Sequence, residues 1–215
     1  MRHRSGLVFD MDGLLVDSEP VWFAAERDFA ASLGGRFDEA DGRACVGQGV
    51  RATARYIRER WAPGLDEVAA AASIVAAFVR RVGELEPKRG ARAILEAAAA
   101  RALPLALASS SSEALIAAVL ERCGLAPFFA AVVSGESVAR HKPAPDVFLE
   151  AARRLGLPPA ELCAFEDSLP GATAARAAGM YVVAVPERAS ERARFVPVAD
   201  LVVADLDEAR VRLDL

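Results

Sequence analysis

Two aspartates one residue apart, Asp10 and Asp12, interrupt an apolar run in the stretch VFDMDGLLVDSEP, residues 8–20. Three later segments place polar side chains after apolar runs in the same way: Ser109 at the end of PLALAS, Lys142 in HKPAPD, and Glu166 with Asp167 at the end of LCAFED. Each has an ordinary explanation on its own. Asp and Gly build turns, a lysine before Pro-Ala-Pro is a solvated turn, Ser109 can cap a helix, and Glu166-Asp167 can cap the helix that starts near Pro170. Those explanations do not account for all four features falling just after strand-like segments. Brought to one place, four carboxylates would repel one another and hold protons. A divalent cation relieves that repulsion, and hard oxygen ligands of this kind suit magnesium. Lys142 and Ser109 are then left to hold an anion. A magnesium ion, a lysine and a carboxylate nucleophile together describe phosphoryl transfer.

The elements that must gather these residues are readable as alternation. Leu7 to Phe9 is a short buried strand ending at Asp10. Val21, Ala25, Phe29 and Leu33 recur every four residues, a helical stripe that Gly34-Gly35 stops. From there to about Gly83 the pattern is of helices joined by short turns, with CVGQGVR the most loop-like. The alanine-rich run Val68–Val79, between Glu67 and Arg80, is expected to be a helix packed between other helices. The second half alternates: a helix over residues 89–102, the strand PLALAS, a helix with capping-box spacing between Ser110 and Glu113 and a Gly124 cap, the strand AAVVSG, a helix from Pro145 to Gly156, the strand LCAFED, a helix from Pro170, and the strand MYVVAV. Alternation of this kind predicts βαβ units and a parallel sheet with helices on both faces. The lone N-terminal strand must join that sheet, so residues 18–85 form an inserted helical domain, with residues 1–17 and 86–215 forming a Rossmann-like α/β core. In such a sheet ligands bind at the carboxyl ends of the strands.

Composition narrows the partners. The 215 residues suffice for one domain with a sizeable insert and a real core. The net charge is -4, with no basic stripe, which argues against nucleic acid or an anionic membrane as the main partner. Cys45, Cys123 and Cys163 are far apart and odd in number, so neither a disulfide framework nor a zinc knuckle is expected, and a reducing cytoplasm fits. The N-terminal apolar run is too short for a signal peptide, and Val68–Val79 falls short of the ~20 residues of a membrane span. The expected partner is a small phosphorylated metabolite, and the expected state a monomer or weak dimer.

DMDG, ASS, HKPAPD and FEDS, in that order, resemble the four motifs of the haloacid dehalogenase superfamily, and the match spans nearly the whole chain. The helical insert between the first two motifs resembles the cap of the subfamily that holds β-phosphoglucomutase and small sugar-phosphate phosphatases. The resemblance implies roles. Asp10 is the nucleophile that forms an aspartyl-phosphate. Asp12 is the general acid for the leaving oxygen and then the base for water, and its main-chain carbonyl ligates Mg2+. Asp10 and Asp167 are carboxylate ligands of the metal, Glu166 reaches it through water, and Ser109, Lys142 and the Met11 amide bind the phosphoryl oxygens.

The same resemblance bears on substrate. Dehalogenases of the family lack the second aspartate, because displacing a halide needs no protonated leaving group, so Asp12 favours a phosphatase or a phosphomutase. Trp22 stands where β-phosphoglucomutases usually carry histidine. An indole cannot exchange protons under ordinary conditions, which favours net hydrolysis over the mutase alternative and leaves Trp22 either to offer a flat face to a sugar-like substrate or to serve as a core aromatic of the cap helix. Gly47, Gln48, Gly49 and Arg51 fall where cap specificity loops sit, with Arg51 able to grip an anionic or hydroxyl group or simply to lie solvated on its helix. Asp17 and Ser18 mark a hinge for a lid motion that excludes water. His141 replaces a glycine common before the Lys-Pro and can touch substrate without being catalytic.

Overall fold

The structure is a computed structural model and describes residues 4–45 and 49–215. Gly47 and Gln48, two of the residues singled out above, lie outside the described residues. The chain divides into two compact units, residues 1–17 with 86–215, and residues 18–85.

Strand β1 (Gly6–Phe9) is fully buried and leads into a tight turn. Four helices follow: α1 (Glu19–Ser32), α2 (Glu39–Cys45), α3 (Val50–Trp61) and α4 (Glu67–Arg80). The chain then alternates through α5 (Ala91–Ala100), β2 (Leu105–Ser109), α6 (Glu113–Cys123), β3 (Ala131–Ser134), α7 (Asp146–Leu155), β4 (Leu162–Glu166), α8 (Leu169–Ala177) and β5 (Tyr181–Ala184). It ends with α9 (Arg192–Phe195), β6 (Leu201–Val202) and α10 (Leu206–Arg212).

The six strands form one sheet in the order β3-β2-β1-β4-β5-β6. Every pairing is parallel. The expected α/β core with an inserted helical domain is therefore the architecture found. β1 lies between β2 and β4, with Phe9 paired to Leu107 on one side and to Phe165 on the other. All carboxyl ends point to one edge, which brings Asp10, Ser109, Ser134 and Glu166 to the same rim. Alanine dominates the strand and helix positions that meet in the core, including Ala106, Ala108, Ala151, Ala152, Ala164, Ala172 and Ala175. Such small side chains let α7 and α8 lie close to the sheet, and Phe148 fills the space that remains.

Two sequence expectations are revised. The sheet has a sixth strand, β6, whose two residues are too short to show alternation. The N-cap of α6 is Ser112, not Ser110: its hydroxyl accepts from the Leu115 N–H at 3.3 Å. Ser110 points out of the fold, and the chain turns once more before the helix starts. Gly124 caps the other end of α6 in the left-handed conformation (φ 62°), as its position predicts.

The helical unit has its own core of Ala30, Phe37, Cys45, Ala54, Ile57, Ala70, Ala71 and Ile74. Asp66 caps α4 by accepting from the Ala69 N–H at 2.8 Å, and α4 packs against both α1 and α3. No helix among the described residues is long and apolar enough to cross a membrane.

Candidate active site

The site is assembled by the ends of β1, β2 and β4 and by the loop before α7. The Phe9 ring stacks on the Phe165 ring, centroids 4.5 Å apart and nearly coplanar in orientation. The Asp10 N–H then donates to the Phe165 carbonyl at 3.1 Å, so the first residue past β1 is still held to β4. This leaves the Asp10 side chain at the rim, 7% exposed.

After Asp10 the chain closes a compact turn. The Met11 carbonyl accepts from the Leu15 and Val16 N–H groups, and the Gly13 N–H donates to the Val16 carbonyl. Gly13 has φ +79°, and a Cβ there would run into the Asp167 carboxylate. Val16 bridges to Pro87, so the strands of chain leaving and re-entering this unit run side by side.

Lys142 reaches into the rim from the loop before α7. Its Nζ lies 2.5 Å from Asp10 Oδ1, 2.5 Å from Glu166 Oε1 and 3.0 Å from the Ala108 carbonyl. Three acceptors match the three hydrogens of an ammonium. Glu166 is fully buried. Its second oxygen accepts from the Ser168 N–H at 3.3 Å and the Ser168 hydroxyl at 3.0 Å. Gly171, in the first turn of α8, is the other wall of that pocket, since any Cβ there would overlap the Glu166 carboxylate.

Asp10, Glu166 and Asp167 each offer a carboxylate oxygen, and these oxygens lie within 4.8 Å of one another. Burial is the largest force on the Asp10 carboxyl and pushes its pKa up to about 7; repulsion from Glu166 and Asp12 adds to the rise, and Lys142 opposes it. Burial likewise drives Asp167 well above the carboxylate range, reinforced by Asp10 and Glu166. Burial alone would discharge Lys142, but the two carboxylates outweigh it and hold the ammonium protonated. Three carboxylates against one ammonium leave an excess of negative charge that a divalent cation would balance, and an all-oxygen donor set suits a hard ion. The residues present therefore fit a divalent metal.

Ser109 is buried, and its hydroxyl accepts from the Ser111 N–H at 3.1 Å. Asp12 Oδ2 accepts from the Ser111 hydroxyl at 2.8 Å. Asp10, Lys142, Glu166 and Asp167 thus share one cluster, and Asp12 is tied to the Ser109 loop. Met11 is buried at the same turn. His141 is exposed, and its carbonyl accepts from the Ala144 N–H. Trp22 and Arg51 belong to the helical unit. The Trp22 ring packs 4.1 Å from the Phe78 ring, and Arg51 is exposed in the first turn of α3. Four supporting residues escaped the sequence reading: Ser111, Ser134, Ser168 and Gly171. The run of four serines from Ser109 to Ser112 was the available signal.

The family model described as haloacid dehalogenase-like hydrolase matches residues 5–179. Hexitol phosphatase B of Escherichia coli is 35% identical, over 94% of this chain and 92% of that protein. Fructose-1-phosphate phosphatase YqaB of Escherichia coli is 37% identical, over 84% of this chain and 96% of that protein. The crystal structure of CbbY from Rhodobacter sphaeroides in complex with phosphate superposes with a TM-score of 0.87 at 25% identity, covering 99% of this chain and 100% of that one. With its motif residues gathered at one sheet edge, the family model matching residues 5–179 and a hexitol phosphatase aligned over 94% of this chain, the chain belongs to the haloacid dehalogenase-like hydrolases.

Proposed function

We propose that the chain is a Mg2+-dependent phosphatase of a small sugar or polyol phosphate, working through an aspartyl-phosphate on Asp10. The observation that carries this reading is the buried Asp10 carboxylate with the Lys142 ammonium 2.5 Å from one of its oxygens. The names of the relatives, a hexitol phosphatase and a fructose-1-phosphate phosphatase, support the substrate class. Three buried free cysteines and a net charge of -4 fit a cytoplasmic enzyme, which we take to act as a monomer or weak dimer on small metabolites.

A divalent cation would be held by Asp10, Asp167 and the Asp12 carbonyl, with Glu166 acting through water, and would supply charge neutralisation for the phosphoryl group. The chain's own residues do the rest. Lys142, itself held by Glu166, fixes one oxygen of Asp10, which orients the carboxylate before substrate arrives. In the first step an Asp10 oxygen bonds to phosphorus, the bond from phosphorus to the ester oxygen breaks, and Asp12 gives its proton to that oxygen. In the second step water bonds to phosphorus, Asp12 takes the water's proton, and the bond from phosphorus to Asp10 breaks. Ser109, the Met11 amide and Lys142, which would exchange one of its three present acceptors for a phosphoryl oxygen, are the donors assigned to the phosphoryl group. Removing charge-stabilising donors of this kind costs on the order of 10²–10³-fold in rate.

The test is a panel of hexitol and ketose monophosphates assayed for inorganic phosphate with and without Mg2+. Metal-dependent phosphate release is expected, and it is lost in Asp10→Asn. A protein that instead converts β-glucose 1-phosphate to glucose 6-phosphate without releasing phosphate would be a mutase and overturn the reading.

A further inference from the structure

The serines at 109–112 are divided among separate tasks. Ser112 caps α6, and the Ser109 hydroxyl accepts from the Ser111 N–H at 3.1 Å. The Ser111 carbonyl accepts from the Ser134 hydroxyl at 2.7 Å, and Ser134 is the buried last residue of β3. The Ser111 backbone is therefore pinned on both sides by the ends of two neighbouring strands. Its side chain reaches across to the turn after β1, where its hydroxyl donates to Asp12 Oδ2 at 2.8 Å. A serine hydroxyl has one hydrogen to give. Spent on Oδ2, that hydrogen restrains rotation of the Asp12 carboxyl group.

We propose that Ser111 is a positioning residue for proton transfer by Asp12, holding the acid–base carboxyl in one orientation through a hydroxyl that β2 and β3 lock in place. This rests on the reading of Asp12 as the acid and base of the hydrolase, and it adds a residue that acts only through Asp12. Ser111 and Ser109 thus have different tasks: Ser109 serves the phosphoryl group, whereas Ser111 serves the leaving oxygen. Unlike a purely structural serine, Ser111 has an effect that depends on how much the leaving group needs a proton.

The experiment compares Ser111→Ala with the unaltered enzyme, loaded with Mg2+, on two substrates in rapid-quench single turnovers. A hexitol phosphate leaves as an alkoxide and needs protonation; 2,4-dinitrophenyl phosphate leaves as a stabilised phenolate and does not. Ser111→Ala is expected to slow transfer from the hexitol phosphate by about 10- to 100-fold. The single-turnover rate of dinitrophenolate release stays within about twofold, as does the enzyme concentration for half-maximal rate with the hexitol phosphate, an effect confined to the proton-dependent step. Ser111→Thr and Ser111→Val, equal in size and different only in the hydroxyl, repeat the comparison if the alanine variant folds poorly: threonine restores the hexitol rate and valine does not. Equal losses on both substrates would make Ser111 a loop anchor and overturn the proposal, as would unchanged rates on both. An unaltered enzyme that turns over neither substrate overturns the reading of the site, and the proposal with it.

Discussion

Lys142 Nζ lies 2.5 Å from Asp10 Oδ1, joining residues 132 positions apart in the chain. Both partners are almost wholly withdrawn from water, with side-chain exposures of 7% and 10%. A buried pair of this kind is a weak source of net stability, but breaking it leaves an uncompensated charge. In this molecule the penalty falls on two carboxylates, because Glu166 shares the same ammonium.

Replacing Lys142 by methionine tests that arrangement. Lys142→Met is expected to abolish phosphatase activity and to destabilise the metal-free protein by about 3 kcal/mol near neutral pH. The loss is smaller near pH 5, where the Asp10 carboxyl, its pKa raised by burial, is protonated. Urea denaturation at the two pH values measures the difference.

The raised Asp10 pKa sets a sign for pH dependence. Its ordinary value of 3.8 applies to the unfolded chain, and the folded value is about 7. Between those limits the folded state binds more protons, so this group's contribution to stability falls as pH rises through that window. A divalent cation requires the ionised carboxylates, so its binding releases protons and grows stronger over the same range. The gain in melting temperature on adding Mg2+ is therefore expected to be larger near pH 8 than near pH 5. An equal gain at both would contradict the coupling.

Gly171 tests the cradle of Glu166. The Cβ of Gly171→Ala would overlap the Glu166 carboxylate, which has Lys142 and Ser168 as its partners and no room to retreat. The variant is expected to lose about 1–3 kcal/mol of stability and most of its activity. Thermal melting and phosphate release read the two effects separately.

The helical unit carries its own titrating group. Glu26 on α1 is pushed up to about 7 by burial, with a hydrogen bond from the Thr53 side chain opposing the rise. Its carboxylate form destabilises the fold as pH climbs from its ordinary value of 4.5 through that range. Glu26→Gln keeps a partner for Thr53 and removes the charge, so it is expected to stabilise the protein near pH 8 and to change little near pH 5. Melting curves of the variant and the parent at both pH values check this.

The motif residues were legible because apolar runs mark buried strands and a parallel sheet gathers their carboxyl ends. Asp10, Ser109, Glu166 and Asp167 follow from that rule without knowledge of the strand order. The sharing of Lys142 by Asp10 and Glu166 does not, because it depends on β1 lying between β2 and β4. Ser111 and Ser134 were illegible for a related reason. A serine beside a helix start is read as a cap, and only the pairing of β2 with β3 brings the Ser134 hydroxyl to the Ser111 carbonyl. Capping-box spacing alone puts the cap two residues early, because it does not show the turn geometry that spends Ser109 on the Ser111 N–H. Gly171 hid in PGATAARAAG as one small residue among several, since what makes it necessary is a carboxylate five positions earlier that folds back onto the helix.

The central claim is that Asp10 accepts the phosphoryl group covalently. Enzyme quenched in acid during turnover of a hexitol phosphate, digested and analysed by mass spectrometry, tests it directly. One phosphoryl group on the peptide containing Asp10, present in the unaltered enzyme and lost together with turnover in Asp10→Asn, is the predicted result. Full turnover by Asp10→Asn, or a phosphoryl group carried by another residue, would contradict the account.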